Sequence, residues 1–224
     1  MSFRVLIAIT FLFAASTVTS AEDYSALFEE AVENIDWKFQ DEWAYTESSL
    51  LEGQLWIGHY DPRRDEEDCW ELVSVDGHDP TAKEVRSYEH RKDEHDSASD
   101  SRTTKIVGSD SIELLEETDD YWLFTFVPDD EEEAFIDSVD ATVKIVKADR
   151  YVEYIDVRNH SDIKPGFGTR LSKLVMRLEF GPAADDGPIV PQSIKTHVTG
   201  RALFFIGIDD TEATSHSDFQ RVVE

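Results

Sequence analysis

The sequence predicts an α+β protein that is mainly β: a single domain built on a large antiparallel meander, its curved sheet partly covered by helices, a ligand or both. Three observations lead there. Hydrophobic residues are 40% of the 224 and aromatics 11%, with five Trp and thirteen Phe, too much apolar material for a disordered acidic chain even at 31% charged residues. Period-two patterning returns again and again after one short amphipathic stretch. No internal repeat and no linker-like composition divides the chain.

Residues 1–20 read as a secretory signal peptide. Arg4 precedes the apolar run from Val5 to Ala15, and the small and polar Ser16 to Ser20 follow, which places cleavage near Ser20 or Ala21. The run is shorter than the roughly 20 residues that span a bilayer, and no other stretch is long and apolar enough. The expected mature domain is 21–224. Its one cysteine, Cys69, closes no internal disulfide and lies far from the cleavage region, so no lipid anchor is expected. An exported chain without disulfides points to a bacterial periplasm.

From Ser25, the apolar residues Leu27, Phe28, Ala31, Val32 and Ile35 recur at helical spacing with Glu29, Glu30, Glu33 and Asn34 between them. The period then changes to two. Trp37, Phe39, Trp43 and Tyr45 alternate with Lys38, Gln40, Glu42 and Thr46, which predicts a half-buried strand. Further strands are predicted at Glu52–Asp61 and Cys69–Val75, the latter closed by the turn Asp76-Gly77. Asp79-Pro80-Thr81 starts a second helix, about Pro80 to Lys92, with a narrow stripe of Ala82, Val85 and Tyr88. The polar stretch Asp93–Thr104 lacks periodicity and predicts a mobile connection.

Seven more strands are expected, at Ser111–Glu117, Asp120–Val127, Val139–Lys147, Arg150–Val157, Arg170–Phe180, Val190–Thr199 and Arg201–Ile208. Turns are expected at Thr118-Asp119, Pro128–Glu133, Ala148-Asp149, Lys164–Gly168, Pro182–Pro188 and Gly200. Both faces of 121–127 and 201–208 are apolar, whereas 139–147 alternates, the mixture expected of a partly covered curved sheet.

Charge excludes one class of function. Lys+Arg number 21 against 49 Asp+Glu, a formal charge of −28, so no nucleic acid is bound through a basic surface and anionic headgroups are expected to repel the chain. The seven histidines are scattered, and His90 and His95 are not at the i, i+4 spacing of a helical zinc pair. No G-x-S-x-G elbow occurs. Gly166-Phe167-Gly168 lacks the third glycine and the following helix of a dinucleotide loop, and Asp129–Glu133 lacks the ligand spacing of a calcium loop. No catalytic residue, metal or cofactor is expected.

The aromatic inventory carries the candidate site. Trp37, Phe39, Trp43, Tyr45, Trp56, Phe124 and Phe126 are expected to line the concave side of the sheet around an acyl chain or lipid, with Trp70, Trp122, Phe204 and Phe205 completing the set. Such a site needs apolar area and few polar groups, so it leaves no motif.

The organisation resembles the LolA/LolB-type outer-membrane lipoprotein-sorting proteins: signal peptide, N-terminal helix, three strands, an insertion from Asp79 to about Lys105, and a long meander. Trp70-Glu-Leu-Val-Ser-Val-Asp-Gly77 with Asp79-Pro-Thr81, and Gly200-Arg-Ala-Leu-Phe-Phe205 with Ser217-Asp-Phe219, carry the local likeness. The resemblance implies an unclosed, strongly curved sheet with helices on its concave side, and a soluble carrier of hydrophobic ligand rather than an anchored receptor. Two alternatives stand beside that expectation: a non-catalytic envelope interaction protein with a self-filled core and an envelope protein partner, and a hydrolase with a dispersed Asp/His site. Stable membrane insertion is not expected.

Overall fold

The computed structural model describes residues 21–65, 68–102, 112–128, 137–166, 168–203 and 205–222, without side chains at 21–23 and 93–102. The proposed signal peptide, Phe167 and Phe204 lie outside these residues. Eleven strands form one antiparallel sheet: β1 (Trp43–Leu51), β2 (Gln54–Tyr60), β3 (Trp70–Val75), β4 (Glu113–Glu117), β5 (Tyr121–Phe126), β6 (Val139–Val146), β7 (Tyr151–Asn159), β8 (Ile163–Gly166), β9 (Thr169–Pro182), β10 (Ile189–Ala202) and β11 (Ile206–Arg221). Their order is β3-β2-β1-β11-β10-β9-β7-β6-β5-β4, with β8 paired to β9. The sheet is not closed, and β3 and β4 are its edges. Two α-helices, α1 (Ala21–Glu33) and α2 (Ala82–Arg102), accompany it. No described helix is long and apolar enough to cross a membrane.

Residues directly opposite in antiparallel strands share a face. One row can therefore be followed across ten strands: Val75, Trp56, Ser49, Thr214, Ile194, Leu178, Ile155, Val143, Phe124 and Leu114. The helices cover the two ends of this one face. Phe28, Ala31 and the following Ile35 pack into a core with Phe124, Phe126, Val143, Ile155 and Leu178. At the other end, Val85 and Tyr88 of α2 pack on Trp56, Leu72 and Val75. Between them the face is bare enough that Ile194 is 39% exposed. Over β7 and β9 the opposite face carries the Asp156, Arg177 and Glu179 ion-pair network, whereas over β1 and β2 it carries Leu50 and Leu55.

Four local readings are corrected. Residues 37–42 do not extend the first strand: Phe39–Asp41 form a 3-10 turn, and Asp36 Oδ1 accepts the Lys38 N–H at 2.9 Å, a local bond that competes with pairing. The polar residues to Arg102 continue α2 rather than forming a connection; residues 103–104 lie outside the description. Lys164–Gly168 is not all turn, because Ile163–Gly166 form β8. Gly200 lies inside β10, at a register shift against β9, so the turn falls after Ala202 and β11 runs to Arg221.

Candidate functional site

The site lies where α2 meets β1–β3, and its geometry starts with alternation. Trp43, Tyr45, Glu47 and Ser49 all point to the helix-bearing face of β1, which places one acid in an apolar row. Glu47 is 7% exposed. Lys92 crosses from α2, its Nζ 3.6 Å from the centroid of Trp70, and donates to Glu47 Oε1 and Oε2 at 2.6 and 2.7 Å. Ser49 Oγ donates to Oε1 at 3.0 Å, and His216 Nε2 lies 3.8 Å from Oε2. Burial alone would raise the Glu47 pKa, but His216 and Lys92 together reverse that and hold it at about 2. The pair is therefore ionised at neutral pH.

Rings surround the pair. Tyr45, Tyr60, Trp70, Phe219 and Phe39 form a continuous set of contacts, with Tyr45 to Tyr60 at 5.2 Å and Tyr60 to Trp70 at 4.9 Å between centroids. Trp70 also meets Tyr88 edge-on at 6.2 Å, joining this cluster to the one under α2. The Tyr88 hydroxyl is buried without a hydrogen-bond partner among the described residues, and burial pushes its pKa up, aided by the charge of Glu47. It fits only because residue 58 is Gly: a Cβ there would sit 1.9 Å from that oxygen. Arg91 stacks 4.0 Å over Trp56, with its buried Nη2 also unpartnered.

Beside this seam is a groove of about 690 Å³. Trp70, Leu72, Val85 and Tyr88 give it apolar walls; its rim carries Arg63, Arg64, Asp65, Asp68, Glu71 and Glu89. The cations are already engaged, Arg63 with Asp61 at 2.7 Å and Arg64 with Glu71 at 2.8 Å. The Arg63 hydrogen bond outweighs burial and holds the Asp61 carboxyl at about 2.

The seven aromatics singled out from the sequence fall into three groups. Trp37, edge-on to Phe180 at 5.7 Å, joins Phe124 and Phe126 in the core beneath α1. Phe39, Trp43 and Tyr45 share the cluster next to Glu47, and Trp56 lies under α2. They pack in three separate clusters, and all but Trp37 are 6% exposed or less. Sequence reasoning missed Glu47, Lys92 and His216. The available signal was an acid in phase with Trp43 and Tyr45, hidden because the predicted strand stopped at Thr46.

Chemically the cluster holds one ionised acid between a lysine and a histidine, walled by aromatic rings. His216 Nδ1 lies 3.0 Å from the Pro191 carbonyl, and the carboxylate that accepts from Ser49 Oγ is Glu47, which Lys92 and His216 make a weak base. No group of three His, Cys, Asp or Glu side chains suited to a metal occurs among the described residues. Family models, curated proteins and solved structures offer no match to this chain, so the likeness to the lipoprotein-sorting proteins rests on the sequence features alone.

Proposed function

We propose that the protein is an exported, periplasmic binding protein, without catalysis, that holds an apolar ligand such as a lipid or acyl chain between α2, β3 and the residues that lead into β3. The groove carries this reading. Its volume of about 690 Å³ falls within the roughly 300–1,000 Å³ of small-molecule sites, and its inner wall is Trp70, Leu72, Val85 and Tyr88. Four acids against two engaged arginines at the rim give an anionic head little to gain, so affinity comes from the apolar body.

Protein purified natively from periplasm is expected to yield a stoichiometric lipid by extraction and mass spectrometry. Titration with fatty acids and phospholipids is expected to change the fluorescence of Trp70, and Val85→Trp, which fills the groove, to abolish the response without unfolding the sheet. A second reading, an envelope interaction protein with a self-filled core, is favoured by the burial of Phe39, Trp43, Tyr45, Trp56, Phe124 and Phe126 against the chain's own side chains. Absence of lipid together with a silent titration would leave that reading in place of the carrier.

A further inference from the structure

Strands β9–β11 carry a second feature, remote from α2. The last β1 partner of β11 is Leu50, opposite Ala213, and the last β7 partner of β9 is Arg158, opposite Val175. β10 and β11 stay paired to Ala202 and Ile206, so they project as an arm. At about 3.3 Å per residue, the stretch from Ala213 to Ile206 carries it about 23 Å past the end of β1. Gly200 permits the close approach to β9 at the register shift, since a Cβ there would lie 2.3 Å from the Arg170 carbonyl oxygen.

The arm ends on apolar residues. Leu203, Phe205 and Ile206 are 57%, 81% and 47% exposed. Turns ordinarily take Gly, Asn, Asp or Ser, which bond locally or tolerate positive φ. The turns Glu52-Gly53, Thr118-Asp119-Asp120 and 147–150 each carry Gly or Asp, and where Glu52 and Arg150 take positive φ the side chain is charged. Leu203 instead holds a leucine at φ 47, in the left-handed region that disfavours its side chain. Neither turn propensity nor solubility accounts for an apolar tip, which calls for something outside the chain to cover it.

Charge segregates on the same arm. In a chain of formal charge −28, residues 163–174 and 198–208 contain no acid and carry Lys164, Arg170, Lys173 and Arg201, all exposed. Arg170 pairs with Asp162. The next acids along β11, Asp209 and Asp210, stand opposite Thr199 and Val198. They lie about 10 to 13 Å behind Ile206, level with Lys173, which also stands opposite Thr199, and further than the roughly 8 Å over which charge is felt at physiological salt; Arg201, opposite Gly207, stands nearer the tip.

An apolar point inside a cationic collar matches the boundary of an anionic bilayer, where rings and aliphatic groups enter the acyl region while ammonium and guanidinium groups meet phosphates. An acidic protein surface would satisfy the cations and leave Phe205 and Leu203 against polar groups. We propose that the β10–β11 tip docks the protein on an anionic lipid surface, with Leu203, Phe205 and Ile206 entering the interface and Lys164 and Arg201 contacting headgroups. The docking is peripheral and reversible, and the arm holds the acidic body beyond the range of headgroup repulsion.

Co-sedimentation of the full chain with vesicles tests this. Mixed phosphatidylglycerol and phosphatidylcholine vesicles are expected to bind it, and phosphatidylcholine alone about tenfold less. Leu203→Ser combined with Phe205→Ser, both exposed, is expected to weaken binding to mixed vesicles about tenfold with an unchanged circular dichroism spectrum. Lys164→Glu combined with Arg201→Glu should do the same and remove the salt dependence. Failure of the wild-type chain to sediment with anionic vesicles would overturn the proposal. So would binding that survives the serine pair and is lost only in the glutamate pair, the signature of attraction to any acidic surface.

Discussion

Lys92 and Glu47 hold the two sides of the seam together, and the cost of separating them can be argued from burial. Lys92→Met keeps the stem over Trp70 but leaves Glu47, 7% exposed, without its cation. A loss of about 3 kcal/mol is expected at pH 7, read as a lower urea midpoint. The pH dependence has a definite sign. The folded pKa of about 2 lies below the ordinary 4.5, so the contribution of Glu47 is complete above pH 4.5 and disappears as the pH falls to 2. Removing Lys92 raises the folded pKa, so the variant should lose less further stability than wild type over that window; parallel wild-type and variant curves would contradict this. Tyr88→Phe tests the neighbouring hydroxyl. Deleting a buried, unpartnered O–H should stabilise the ligand-free protein by up to about 1 kcal/mol and, because that oxygen is closed off against Gly58, leave ligand binding unchanged. A thermal shift and a lipid titration on the same variant read the two effects separately.

At the level of elements, α1 and α2 cover the same face with unequal means. α1 inserts Phe28, 1% exposed, and Ala31, 0% exposed, into the larger core, with Phe28 5.5 Å from Phe126. α2 offers Val85 and Tyr88 in a helix whose sequence is otherwise polar, so it is expected to open first. Hydrogen exchange should show the amides of 85–92 unprotected under conditions where those of β6 and β7 remain protected; equal protection would remove α2 as the opening element. Its start is defined by a capping box, in which Thr81 N–H donates to Glu84 Oε2 at 2.7 Å and Glu84 N–H to Thr81 Oγ1 at 3.4 Å. Asp79-Pro80-Thr81 made that start legible to within two residues, the cap falling on Thr81 rather than Asp79 and the helix beginning at Ala82 rather than Pro80, and alternation made β5, β6 and β7 legible. Where alternation has no apolar contrast to display, it fails. The stretch 209–221 is mostly polar, and β11 rests along its whole length on backbone pairing to β10 and β1, which periodicity does not record. The same reason hid the site: Glu47 and Lys92 are far apart in sequence, and only the docking of α2 on β1–β3 makes them partners.

Across the whole molecule, 49 acids against 21 basic residues set self-repulsion against folding. Salt acts on two opposing contributions. It screens the repulsion, and it weakens exposed ion pairs such as Arg150 with Glu30 and Arg221 with Glu42. Each exposed pair is worth about 0–1 kcal/mol, and these pairs leave most of the acid excess uncompensated, so relief of repulsion is the larger effect. The melting temperature is therefore expected to rise as sodium chloride is raised from about 0.01 M to about 1 M, over which the screening length falls from about 30 Å to about 3 Å. The buried Glu47–Lys92 pair is screened much less, so the difference in stability between wild type and Lys92→Met should persist at both ends of that range. Differential scanning calorimetry of the two proteins at low and high salt separates these contributions. A melting temperature that falls with salt would mean that the ion pairs, among them Arg177 with Asp156 and Glu179 on the uncovered face, hold the sheet together more strongly than its charge excess pushes it apart.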